Sequence, residues 1–368
     1  MKKLIIFAAL LLTGAVLTSN ARADDIGAQQ AQAIGVTDVE GQMPDDAKAI
    51  LGDISVMDSL DFSGSLEKIK DDALAKLKGF MTSGLRSASM ILIVVLLCSL
   101  TGSLYTTEAV PDFLPLACAV AVASIAVGDI KGLIGLGRET LTVMSDFSKV
   151  LLPVLAASAS AAGAITSATA KYAATALFMD ILISAAAQVI LPLVYTYIAV
   201  IIANAAVGNE TLVAVQGLIK WVLTSLITVL MIAFTAYLGV TGVISGTSDA
   251  VATRVAKTTI STVLPVVGGI IADAAGTVLG GAAVLKNALG VFGMLVIICL
   301  CLGPFLNLGV HYLLYKAAAG LSQTMSDKRL GGLIGGIGSA FGFVMALVGS
   351  CAIMLFFSII SSIKVVSA

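Results

Sequence analysis

The sequence predicts an all-α, polytopic membrane protein with an internal duplication and candidate re-entrant segments. Three observations predict it. Only 12% of the 368 residues are charged while 58% are hydrophobic, whereas a soluble domain carries roughly 25% charged residues. The charges fall between apolar runs near the length needed to cross about 30 Å of hydrocarbon. Two proline-broken segments, Leu152-Pro153-Val154 and Leu264-Pro265-Val266, recur in similar surroundings. Net charge is −1, so no bulk field argues for nucleic acid. A single histidine rules out a multi-histidine metal site within one copy. The five cysteines all lie in apolar runs, where free cysteine behaves as a small hydrophobe. Cys299 and Cys301 would point about 200° apart on a helix, which argues against a shared metal site.

In chain order, Met1–Ala23 reads as a secretory signal: Lys2 and Lys3, then an apolar stretch, then Ala21-Arg22-Ala23. An uncleaved anchor is the alternative, and either way Asp24 begins outside the cytoplasm. Residues 24–86 form a polar N-terminal region with no obvious core pattern before Leu60. Leu66, Ile69, Ala73, Leu77 and Phe80 then recur at helical spacing, with Lys68, Asp72 and Lys76 largely off that face. This predicts an amphipathic helix, capped by Ser65, on a membrane surface or a partner, or solvated ahead of the first span.

Residues 87–368 form the multi-pass domain. Ala88–Leu104 and Phe113–Gly128 read as two helices parted by a turn at Pro111 and Asp112. Leu136–Val150 is amphipathic. The small residues after Pro153 allow close helix approach. Tyr172–Val207 would be about 54 Å long if straight, so it must kink at Pro192, protrude from the membrane or form two short helices. Thr211–Val243 carries Lys220 and Trp221 near its start, where tryptophan favours the headgroup level. Asn287–Leu314 is broken at Gly303-Pro304, and His311, Tyr312, Tyr315 and Lys316 mark its end. Leu330–Ile363 closes the chain, with Gly331/Gly335, Gly332/Gly336 and Gly338/Gly342 each on one helix face.

Laid over each other, units at about 113–243 and 221–365 align Pro153 with Pro265, Lys171 with Lys286 and Pro192 with Pro304. Each unit would hold an amphipathic segment, a short re-entrant segment, a long span and a return span. Irregular backbone at membrane depth survives only against protein or water. Asp180 and Asp273 would each cost about 2.5–3.5 kcal/mol facing lipid at a helix centre. Two readings stand. Asp273 pairs with Lys171 or Lys286 while Asp180 lines a polar seam, or both aspartates are hydrated at the interface. Orientation is contradictory at this stage. Re-entrant segments put Lys131, Arg138, Lys149, Lys171 and Lys286 on one side and Lys316, Lys328 and Arg329 on the other. Positive-inside counting and the signal then assign opposite sides to the first set.

The stretch TRVAKTTISTVLPVVGGIIADAAGTVLGGAAVLKNALGVFG, Thr253–Gly293, resembles the most characteristic segment of the stage III sporulation protein AE family of endospore-forming bacteria. LLPVLAASASAAGAITSA, Leu151–Ala168, is similar as well, and the resemblance runs from about Ser87 onward. It implies a multi-pass protein of the mother-cell membrane around the forespore. It further implies membership of an eight-member, secretion-like channel complex needed for late forespore gene expression. The implied partners are the other subunits, including a secretion-type ATPase, and a forespore membrane protein across the intermembrane space. No catalytic residue and no cofactor come with the resemblance.

The residues themselves point to a membrane-embedded conduit or binding protein, in contact with lipid and with possible homo-oligomers, rather than to an enzyme. No nucleophile–base–acid set, phosphate loop or metal cluster stands out in the pattern. The candidate polar seam is Pro153, Lys171, Asp180, Pro265, Asp273 and Lys286. A secondary transporter with its site between the repeats, near Pro153, Asp180, Pro265 and Asp273, is the alternative.

Overall fold

The computed structural model describes residues 31–52, 54–57, 62–104, 113–263, 268–325 and 328–364, with side chains left aside for residues 241–278. The signal segment, the turn at Pro111 and Pro265 fall outside this set, as does the side chain of Asp273. The described chain is helical, without strands. Two short helices, α1 (Val36–Gly41) and α2 (Asp45–Leu51), precede the long ones. These are α3 (Phe62–Leu104), α4 (Phe113–Ala161), α5 (Ile165–Ala185), α6 (Leu191–Val207), α7 (Glu210–Val263), α8 (Gly268–Met325) and α9 (Lys328–Lys364). Among the described residues, six helices are long and apolar enough to cross a membrane, α5 and α6 counting as one.

The spans exist where hydropathy places them, but the helices do not stop where hydropathy stops. The amphipathic segment after Ser65 and the span from Ala88 are one helix, α3, of 43 residues. Gly84 between them is a contact and not a break: a methyl group there would lie 2.7 Å from Leu314 Cδ1. Phe113–Gly128 and Leu136–Val150 likewise merge into α4, of 49 residues. Pro153 sits inside α4 with its ring exposed, so the chain is not broken there. It turns after Ala161 instead, at Gly163, whose φ of 96° suits glycine. Pro304 also lies within a continuous helix, α8. Ahead of Pro192 the helix passes through a π-helical turn, Ala186–Ile190, and continues as one apolar helix to Val207. The α6–α7 turn is capped at both ends. Gly208, at φ 70°, donates its N–H to Asn204 O at 2.7 Å, and Asn209 Oδ1 accepts from Thr211 N at 2.8 Å.

The N-terminal region is better packed than its composition suggests. Val36, Val39, Met43, Ala47 and Leu51 are all buried, at steps of three and four. Glu40 Oε1 accepts from Val56 N at 2.7 Å and ties the segment's ends together. α1 rests on α4, and α2 on α3 and α8.

α9 is the axis of the bundle. Leu333, Ile337, Phe341, Val344, Leu347 and Cys351 are each 1% exposed or less. Its glycines set how closely α8 approaches. A methyl group on Gly338 would lie 3.1 Å from Tyr315 Cβ, and one on Gly342 would lie 3.1 Å from the Tyr312 ring. One on Gly331 would lie 3.1 Å from the backbone oxygen of Ala319. The face predicted from the glycine spacing therefore meets α8 antiparallel, while Gly336 serves α6 through Ile201. Tyr315 and Phe341 lock edge to face at 5.1 Å. α4 runs parallel to α9, with Gly137 against Val344 and Leu151 against Gly293 of α8.

The orientation conflict changes form in this fold. Lys131, Arg138 and Lys149 are spread along α4 and do not cluster in an end loop, so they drop out of the positive-inside count. One cysteine expectation is corrected outright. Cys98 and Cys118 are joined by a disulfide across the α3–α4 hairpin, Cα atoms 6.1 Å apart, while Cys299, Cys301 and Cys351 are free.

The α4–α9 contact generates a prediction. A methyl group on Gly137 would fall 2.1 Å from Val344 Cγ1, on a side chain stiff at χ1. Gly137→Ala is expected to cost about 1–3 kcal/mol through overpacking. Gly132→Ala on the same helix, facing open space, is expected to be neutral or slightly stabilising. Thermal unfolding of both purified variants in detergent checks the contrast.

Candidate functional site

Every α-helix leaves its last four carbonyls without intrahelical partners. In water this costs little. α9 is buried nearly to its end, with Ser358 and Ile359 each 1% exposed or less, so its last carbonyls need donors from elsewhere in the protein.

Two lysines supply them. Lys171 of α5 donates from Nζ to Ser361 O at 2.5 Å, and Lys286 of α8 donates from Nζ to Ile363 O at 2.8 Å. The two residues are 2% and 1% exposed. Their stems lie in the apolar core while the ammonium groups reach the helix end. That end carries the negative pole of the helix dipole, so cations there are favoured twice. The seam continues inward along α5 and α9. The Thr175 and Ser358 hydroxyls share a short hydrogen bond, Ser362 Oγ donates to Ser358 O at 2.8 Å, and Cys351 Sγ meets Met179 Sδ at 3.9 Å.

A second polar group closes the opposite end. Lys316 of α8 donates to Gly335 O at 2.8 Å and Ser339 Oγ at 2.7 Å on α9, and lies 5.9 Å from the Tyr312 ring centre. Tyr315 donates its hydroxyl to Asp129 of α4 at 2.7 Å. The sequence reading missed Asp129. It sits one residue past the end assigned to the second span, and an acid there was the available signal.

The structure brings together two of the six predicted residues, Lys171 and Lys286, at the end of α9. Pro153 and Asp180 are exposed on the outside of α4 and α5. Each lysine has a backbone carbonyl of α9 as an acceptor, and the side chain of Asp273, their expected partner, lies outside the described residues. The chemistry offered is helix capping and clamping between elements of both sequence units.

Comparison with known proteins adds to this geometry. The family model for stage III sporulation protein AE matches residues 53–366. A stage III sporulation protein AE from Bacillus subtilis (strain 168) is 22% identical over 226 residues, which is 61% of this chain and 57% of that protein. The match therefore spans little more than half the length of the curated relative. No solved structure matches.

If the lysines cap α9, Lys171→Met and Lys286→Met should each lower stability by about 1–3 kcal/mol, the cost of an unsatisfied buried acceptor. The double variant should lose less than the sum, because the last turn frays once either donor is gone. Denaturant unfolding in detergent measures all three. Additive losses would show that the two lysines act on separate structures.

Proposed function

The chain belongs to the stage III sporulation protein AE family, and we propose that it is a multi-pass membrane subunit of a secretion-like channel complex linking mother cell and forespore. Its place is the mother-cell membrane around the forespore, and its role is to sustain late forespore gene expression. Its partners are the complex's other subunits, a secretion-type ATPase among them, and a forespore membrane protein.

One observation favours a structural subunit over the alternative transporter. Of the residues expected around an inter-repeat substrate site, Pro153 and Asp180 face outward, while Pro265 and the side chain of Asp273 lie outside the described residues. The centre of the bundle is filled by α9 and its glycine and aromatic contacts. A transporter needs a site there that opens alternately to each side. A largely buried helix, clamped at both ends by Lys171, Lys286 and Lys316, suits a wall that holds its shape while other subunits assemble on it.

Deletion of the gene in a sporulating host carrying a late forespore reporter tests this reading. Reporter expression is expected to fall to background and to return with the intact chain. An affinity-tagged chain is expected to co-purify with the ATPase from sporulating cells. Normal reporter activity in the deletion strain would refute the role.

A further inference from the structure

The ends of the bundle fix a depth scale. Lys286 and Lys316 mark two levels about 45 Å apart along α8, close to the ~40–45 Å of a bilayer with its headgroups. Lys220 and exposed Trp221 of α7 suit the headgroup level, as does the Tyr312–Lys316 pair. Between the levels, the outward side chains of α5, α7 and α9 are mostly apolar, with Asp180 of α5 as the exposed charge. Leu177, Ile181, Val229, Ile232 and Phe357 are 44% to 63% exposed.

α3 and α4 differ at the same depth. Gly84 of α3 lies against Val310 and Leu314 of α8, Gly137 of α4 against Val344 and Val348 of α9, and Leu151 of α4 against Gly293. The charged stretches below Gly84 and between Gly137 and Leu151 therefore run beside the most apolar parts of α8 and α9. On α3, Lys68, Lys70 and Lys78 are exposed, and Lys76 pairs with Asp72 in a half-open ion pair at 2.9 Å. On α4, Arg138 and Glu139 are exposed, and the Lys149–Asp146 pair has side chains 71% and 63% exposed. Each of these charges facing hydrocarbon at a helix centre would cost about 2.5–3.5 kcal/mol.

We propose that the outward faces of α3 from Glu67 to Lys78 and of α4 from Arg138 to Lys149 line a water-filled passage at membrane depth, enclosed by further copies of this chain. The passage deepens the conduit reading and rests on it for its purpose. Two helices form only one wall, so a single copy cannot shield the face from lipid. Both signs of charge occur on each helix, so identical faces can oppose one another across water without a large like-charge penalty. The hydrophilic segment of residues 31–57 packs on α3, α4 and α8, with Gly35 beside Val154. Water-soluble structure thus already covers one end of this side of the bundle.

The test is cysteine accessibility in membrane vesicles from a host without sporulation genes. Lys70→Cys, Lys78→Cys and Glu139→Cys are compared with Leu177→Cys, Val229→Cys and Ile232→Cys, each above the background of the unsubstituted chain. A membrane-impermeant maleimide is expected to label the first three at least tenfold faster. A water-soluble bis-maleimide is expected to join copies through Glu139→Cys. Equal protection of all six overturns the proposal. So does equal labelling of all six, or protection of Ile93→Cys and Val120→Cys while Val229→Cys reacts, since the bilayer would then sit at the α3–α4 tip. Labelling without crosslinking overturns the arrangement of copies. If labelling succeeds but the chain restores no late forespore expression, the sporulation role fails and the aqueous face stands.

Discussion

A helix that ends inside apolar surroundings must find donors for its final carbonyls, and much of this molecule is arranged around that requirement. α9 is in contact with α4, α5, α6, α7 and α8. Burying it removes water from most of its C-terminal turns, where Ser358, Ile359 and Ser362 are buried. The lysines that replace water come from helices far apart in sequence, so the cap also fixes how α5 and α8 stand relative to α9. A lysine suits this task better than a hydroxyl. Its long stem adds apolar contact, and its three donors tolerate small shifts of the helix end. Because the ammonium groups meet the negative pole of the helix, no carboxylate is needed to neutralise them there.

The same central position explains the glycines. In a membrane the hydrophobic effect does not press one apolar helix against another, so association depends on close packing and hydrogen bonds. The α8–α9 pair gains closeness from Gly331, Gly335, Gly338 and Gly342, and hydrogen bonds from Lys316 to Gly335 O and Ser339. The aromatic residues of α8 lie over the glycine face. Tyr315 uses both of its properties: the ring packs on Phe341 and the hydroxyl reaches Asp129 on α4. Removing any one element of this set leaves the others without their geometric support.

The sequence made the spans and the glycine faces legible, because each depends on local composition. Helix ends were not legible from hydropathy. A helix satisfies its own backbone, so α3 and α4 continue from apolar into amphipathic sequence without a stop signal. Pro153 and Pro304 were read as breaks, yet within a long helix a proline removes one hydrogen bond and neighbouring structure absorbs it. Lys171 and Lys286 stand out in the sequence at the mouths of long spans, but their backbone acceptors on α9 have no sequence signature. Val36, Val39, Met43, Ala47 and Leu51 did carry a readable helical period, hidden by the break at Pro44 and by the polar residues between. The Cys98–Cys118 bond follows from the register of α3 against α4, which local composition does not reveal.

The two lysines also bear on the proposed duplication. They occupy equivalent places in units related by Pro153 and Pro265, and were the units fully equivalent each would cap the return helix of its own unit. Lys286 does so, on α9. Lys171 would be expected on α7, but it reaches across to α9 instead. The two donors meet at one helix end, so α5 and α8 are both held against the last turns of α9. Whatever relates the two stretches in sequence, the buried carbonyls of α9 draw cations from two helices that lie far apart in the chain.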